Sequence, residues 1–188
     1  MGINVGEKSF EEIEARMSKM RTPLTKIAYL ESALKQGRFM FETKRAISKR
    51  LAELYADEKM YEKAAKTLAA MALIEITFRE KIEDYLQAGE MYARVGKIED
   101  AEEMFTRAVR DATPDQKPKI LLARKNVYLS SAQNLDKQGK TGGSVKFYEK
   151  LVNMKLDSLE KQQVKKRLLE VYKSLGKFKE AELLEGLK

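Results

Sequence analysis

Gly139-Lys140-Thr141, followed by Gly142-Gly143, is the part of this chain closest to a phosphate-binding loop. Such a loop wraps backbone N–H groups and a lysine around nucleotide phosphates. It needs a glycine five residues before the GKT glycine, at the end of a strand. That position is Asn134, and the preceding pattern is helical, so nucleotide binding is not expected. The acidic pairs Glu99-Asp100 and Glu102-Glu103 supply carboxylates. Neighbouring helical positions point in different directions, so neither pair converges on one atom, and they read as solvated surface. The chain has no His and no Cys. That removes the commonest general base and metal ligand, thiolate zinc sites, cysteine nucleophiles and disulfides. No catalytic residue, metal or cofactor is expected, and the chain does not read as an enzyme.

Charge carries more information. Lys and Arg number 37 against 29 Asp and Glu, a net charge of +8. Between Asp115 and Lys179 there are 16 Lys or Arg and 6 Asp or Glu, so this half carries the whole surplus. The basic surface would comprise Lys117, Lys119, Arg124, Lys125, Lys137, Lys140, Lys146, Lys150, Lys161, Lys165, Lys166 and Arg167. Lysines that solubilise the surface with stems lying along it are one reading. An acidic partner, either a protein surface or the phosphates of RNA or a ribosomal particle, is the other. Tyr128, Tyr148 and Tyr172 occupy inward positions, so base stacking is not evident.

The elements that would position these residues are helices. Ala, Leu, Glu, Lys and Arg are abundant, and the three Pro fall outside the predicted helix interiors. The clearest stretch is Ile82 to Thr113. Tyr85, Ala88, Gly89 and Tyr92 share one side of a helix. After a turn at Gly96, Ala101, Phe105 and Ala108 share one side of a second, and Pro114 blocks continuation. Large and small residues alternate, which lets the two helices approach closely.

At these residues the stretch resembles the tetratricopeptide repeat, whose two helices carry an aromatic, an apolar–Gly pair and a Tyr, then Ala, an aromatic, Ala and a terminal Pro. Ala88 stands where that family usually has Leu, and Pro114 comes one residue late. Partial copies follow the same spacing. Around Tyr55 they use Leu51, Ala52, Ala64, Leu68 and Met71, with Lys59 at the turn. Around Leu135 they use Tyr128, Ala132, Gly139, Ser144, Tyr148 and Leu151, and around Tyr172, Leu168, Leu169, Gly176 and Ala181. Turn positions 59, 96, 139 and 176 imply helices longer than those of the plain repeat, whose period is about 34. The resemblance implies an all-α, right-handed solenoid of antiparallel hairpins with about ten helices.

In chain order, residues 1–8 read as a flexible N-terminus and 9–36 as a divergent opening hairpin. Residues 39–188 supply the repeat hairpins, the whole forming one domain. Ser9/Glu12, Thr77/Glu80 and Asp157/Glu160 are capping-box patterns, and Thr22-Pro23 starts a second helix. The run Leu68 to Ile74 reads as a buried helix and is far short of the ~20 residues of a membrane span. Phe39-Met40-Phe41 reads either as packing between hairpins or as an exposed docking patch. Thr113 to Lys119 either lengthens the next helix, from about Gln116 to Gln138, or separates two sub-blocks. Phe178 to Leu187 is a last short helix.

Family members that hold chaperone C-termini clamp the carboxylate with Lys, Asn and Arg on the first helices. The equivalent groove positions here are Lys49, Glu53, Leu86, Glu90, Leu129, Gln133, Lys166 and Glu170. Glu where the clamp needs Asn repels a carboxylate, so the clamp is not carried over. The resemblance implies a non-catalytic adaptor whose groove holds a peptide or helix of a partner protein. The absence of Cys and the 35% of charged residues suit a reducing cytoplasm, and the short apolar runs suit a chain without membrane insertion. RNA or ribosome association through the basic half is the alternative.

Overall fold

The computed structural model describes residues 3–186. Among these the chain forms ten α-helices and no strand: α1 (Phe10–Ser18), α2 (Pro23–Gln36), α3 (Phe41–Asp57), α4 (Tyr61–Ile74), α5 (Phe78–Arg94), α6 (Ile98–Asp111), α7 (Lys117–Lys137), α8 (Thr141–Val152), α9 (Ser158–Ser174) and α10 (Phe178–Gly186). Leu187, assigned to the last helix from sequence, and Lys188 lie outside the described residues, as do Met1 and Gly2. From α2 onward each helix packs against the next, α5 also reaches α7, and α1 rests on α3. This is an all-α, solenoid-like stack. None of the described helices is long and apolar enough to cross a membrane.

Local signals set the boundaries. Ser9, Thr22, Thr77 and Asp157 each accept a hydrogen bond from the amide three residues on. Only Asp157 and Glu160 complete a reciprocal capping box. At Ser9 the Glu12 carboxylate accepts from the Lys8 amide instead, and at Thr77 Glu80 is drawn to Arg45. The turns at 59, 96, 139 and 176 share one left-handed residue, with φ of 59° at Lys59 and 70–76° at the three glycines. A side chain with a Cβ is strained there by roughly 1–2 kcal/mol. Lys59→Gly should therefore stabilise the α3–α4 hairpin by about 1 kcal/mol in a urea titration. A loss of stability would mean that Lys59 contributes more through its side chain than its backbone costs.

The core falls into two clusters that meet at α3 and α4. The first runs from Val5 to Ala64 and the second from Ala52 to Leu184. The second continues unbroken across residues 113–119, so the longer α7, and not a break between sub-blocks, accounts for the extra spacing there. Its centre is a column of rings. Phe105 meets Tyr128 edge-on at 5.7 Å, and Tyr128 meets Phe147 at 5.6 Å. Ala101 is fully buried beside them. Ala101→Trp has no space to occupy and should cost roughly 1–3 kcal/mol or more in thermal or urea unfolding. A neutral result would contradict this packing.

Three expectations need correction. The N-terminal segment does not hang free between residues 3 and 8. Val5 is completely buried, the Gln36 amide pairs with its backbone N–H and C=O at 3.0 and 3.1 Å, and Arg38 donates to the carbonyls of Val5 and Glu7. The apolar run Leu68–Ile74 is not buried to its end. Leu73 and Ile74 are exposed, followed by exposed Ile76 and Phe78. Between them the Glu75 side chain points inward, because Arg45 Nε donates to it at 2.7 Å. One buried ion pair thus turns the end of α4 inside out. Finally, Phe39-Met40-Phe41 divides: Phe39 is buried in the first cluster, whereas Met40 is 83% exposed.

Candidate functional site: a groove along the odd-numbered helices

Because successive helices alternate in direction, α3, α5, α7 and α9 line one side of the stack. Recesses open between each pair of them. Lys49, Glu53, Gln87 and Met91 border the recess between α3 and α5, over a floor of Ala64 and Leu68 from α4. Glu90, Val127, Ser131 and Asn134 border that between α5 and α7. Leu129, Gln133, Gln163 and Arg167 border that between α7 and α9, over Tyr148 and Leu151 of α8. Five of the eight groove positions inferred from sequence, Lys49, Glu53, Glu90, Leu129 and Gln133, therefore line recesses. Leu86 is half-buried against the core, and Lys166 and Glu170 lie exposed on α9.

Most of the charged groove residues already have partners within the chain. Lys49 Nζ is 3.8 Å from Asp84, Glu53 binds Arg50 at 2.9 Å, Glu90 binds Arg94 at 2.7 Å, and Glu170 binds Arg167 at 2.8 Å. Apart from Lys166 and from Lys137 at the α7–α9 recess, the groove's charges are thus largely taken up in pairs, and most of its remaining lining is apolar or amide-like.

The α7–α9 recess has a volume of about 340 Å³. Leu129, Leu151, Leu156 and Val164 make its apolar floor. At one end Lys125 and Glu160 form a 2.5 Å ion pair. At the other stands Asp136, which accepts from Ser144 at 2.6 Å, Tyr148 at 2.8 Å and Arg167 at 2.8 Å. Burial alone would raise the Asp136 pKa, but these three donors together hold the carboxyl below its ordinary value. Arg167 is in turn held firmly protonated by Asp136 and Glu170. It spends Nε and Nη1 on those acids and keeps further N–H donors at the rim.

The seams carry a second feature that sequence spacing does not signal. Tyrosines reach from one helix to a carboxylate on the preceding one: Tyr55 to Glu31, Tyr128 to Glu102 at 2.5 Å, and Tyr172 to Glu149 at 2.8 Å. Cations lie over the same rings, with Lys63 over Tyr55, Arg124 over Tyr128 and Lys177 over Tyr172. These are structural locks. The partners lie 23 to 26 residues apart, beyond the reach of any helical spacing rule.

The basic residues are not all on one face, and several are already paired. Arg124 pairs with Glu102, Lys125 with Glu160, Lys146 with Glu99, and Arg167 with Asp136. Lys117 and Lys119 stand at the start of α7, and Lys137 and Lys140 stand at and just beyond its other end. Over the 21 residues of α7 that is about 30 Å. Lys150 lies on α8, and Lys161, Lys165 and Lys166 on α9. Gly139-Lys140-Thr141 forms the α7–α8 turn, with α7 and no strand before it. Gly142 faces open space, and a Cβ on Gly143 would touch Leu135 at 3.3 Å.

No family model matches this chain. No curated protein matches it either.

Proposed function

We propose that this chain is a non-catalytic adaptor of tetratricopeptide-like design. Its odd-helix groove holds a segment of a partner protein, seated chiefly between α7 and α9. The observation that carries this reading is the α7–α9 recess, an apolar floor framed by fixed polar groups. A peptide would seat an apolar side chain on Leu129, Leu151 and Val164. Gln133, Gln163 and the spare donors of Arg167 would meet its backbone carbonyls. Burying one such side chain is worth about 1.5–3 kcal/mol, so two or three anchors give micromolar affinity after ordering costs.

The test is panning of a random peptide display library. Enriched peptides should carry a spaced apolar anchor, and Leu129→Glu should weaken them by at least about tenfold, as loss of a central anchor does. Peptides that bind Leu129→Glu as tightly as the unchanged protein would sink the reading.

The surplus of positive charge between Asp115 and Lys179 supports a second reading, association with RNA or a ribosomal particle. Phosphate contacts release counterions, so such binding would fall steeply with salt, by a log–log slope of about −0.7 per single-strand contact. Failure to bind total RNA at low salt removes it.

A further inference from the structure

Another pair of recesses lies around the α8–α9 connection, away from the floor of the groove. In the first, Pro118, Leu121, Leu122 and Arg124 of the early turns of α7 face Met154 and Lys155 across about 520 Å³. In the second, Val152 and Ser158 face Lys161, Lys165 and Leu184 across about 470 Å³. The two meet at Asn153, which lines both. Lys125 alone is shared with the α7–α9 recess.

The apolar floor here is surplus to the fold. Ile120-Leu121-Leu122 is a run of three large apolar residues near the start of α7. Successive helical positions turn by about 100°, so one core-facing stripe cannot take all three. Ile120 is buried, whereas Leu121 and Leu122 remain 43% and 52% exposed. Leu159, in the first turn of α9, is exposed at the same end of the stack.

Among the described residues the charges lining the recesses are of one sign: Arg124, Lys125, Lys155, Lys161 and Lys165 contribute to the two linings, and no Asp or Glu does. Arg124 and Lys125 are partly offset by Glu102 and Glu160, and the Asp157 carboxylate is committed to capping α9. Among the described residues no salt bridge engages Lys155 or Lys161. A trough with an apolar floor and cationic walls is complementary to a rod with an apolar stripe and acidic flanks.

We propose that this trough is a docking surface for an acidic amphipathic helix of a partner protein. Concavity favours a helix over a lipid surface, because a flat bilayer covers protrusions and cannot fill recesses. The linings contain no aromatic ring, and Tyr128, Tyr148 and Tyr172 are buried, so single-stranded RNA would find nothing to stack on. The inference is independent of the groove between α7 and α9, since the two linings share only Lys125 and the residues tested here lie outside that groove.

The probe is a fluorescein-labelled, amidated helical peptide of Leu at i, i+3, i+4 and i+7 with Glu and Ala elsewhere, read by fluorescence anisotropy. A twin with Lys for Glu is the control. The acidic peptide should bind saturably and the basic twin should not. Leu122→Glu, and separately Lys155→Glu with Lys161→Glu, should weaken it at least about tenfold. Both variants change exposed side chains, and circular dichroism checks that each is folded. Leu129→Glu should leave this binding unchanged, so failure here is distinct from failure of the α7–α9 groove. Absence of saturable binding overturns the proposal, as does equal binding to Leu122→Glu. So does a surface that ignores the peptide but binds polyuridylate or phosphatidylserine vesicles in a Leu122-dependent way.

Discussion

Phe105→Ala lowers the unfolding free energy by about 3–5 kcal/mol, the loss expected when a fully buried phenylalanine is truncated. Phe105 is 1% exposed and starts the ring column that ties α6 to α7 and α8. The far end of its ring lies against Gly89 of α5, where an added Cβ would meet ring carbons at 3.0, 3.1 and 3.2 Å. The ring therefore fixes the separation of α5 and α6 as well as the next seam. Gly89→Ala tests the same contact with a change of sign. Alanine should favour a helix interior by about 1 kcal/mol. Against Phe105 it is overpacked, and the net effect should be destabilising by about 1 kcal/mol or more. In the Phe105→Ala background the obstruction is gone and the same substitution should stabilise. Urea titrations of the four proteins close the cycle. If Gly89→Ala has the same effect in both backgrounds, the close approach is not what glycine serves here.

Asp84→Asn should stabilise the protein at neutral pH by roughly 2–3 kcal/mol, which is unusual for a change that removes a charge from an ion pair. Asp84 is fully buried on α5, and neither carboxylate oxygen finds a hydrogen-bond donor. Burial pushes its pKa up to about 6 from 3.8, opposed by Lys49 at 3.8 Å and reinforced by Glu75. The facing groups from α3 are Lys49 and Arg45. Glu75, between α4 and α5, also has an unpartnered oxygen, and Arg45 bridges it to Glu80 on α5. The Asp84 and Glu75 carboxylates thus face each other, each keeping an oxygen that no donor reaches. The sign follows from the raised pKa. The folded state binds this proton more tightly than the unfolded chain does. The stability it contributes is complete below about pH 4 and lost as pH rises through about 6. The loss is roughly 1.4 kcal/mol for each pH unit between the unfolded and folded pKa values. Asparagine cannot titrate and brings an N–H₂ donor toward Glu75. The difference in unfolding free energy between the two proteins should grow from about pH 4 to about pH 7 and then level off. A constant difference across that range would show that Asp84 is already charged in the fold at the acidic end. Comparing the pair at each pH removes the contribution of other acids, such as Glu62, whose pKa is drawn down to about 2 by Lys66 and Lys97.

The helices and their turns are legible in the amino-acid order, because they depend on neighbours in the chain. Ser9, Thr22, Thr77 and Asp157 cap helices through bonds to residues three positions away. Gly96, Gly139 and Gly176 recur where a left-handed residue is required. Lys59 has no such tolerance, yet the spacing alone places it at its turn. The resemblance to the tetratricopeptide repeat, rather than the spacing itself, points to the odd-helix face and reaches Leu129 and Gln133 in the recess between α7 and α9. The floor of that recess is not legible, since Tyr148 and Leu151 come from a different helix and Leu156 from a connection. The exposed end of α4 is not legible either. Leu73, Ile74 and Ile76 have the composition of a core, and hydrophobicity alone would bury them. They face outward because Arg45, 30 residues earlier, holds Glu75 inside. The same holds for Asp84, buried with no hydrogen-bond donor, and for the tyrosine–carboxylate locks. Charge segregation along the chain reads as one basic face, but ion pairs to acids such as Glu102 and Asp136 and the length of α7 disperse it. Periodicity specifies which side of a helix is apolar. Which polar group is buried, and what meets it there, depends on contacts between helices, and only tertiary packing brings those partners together.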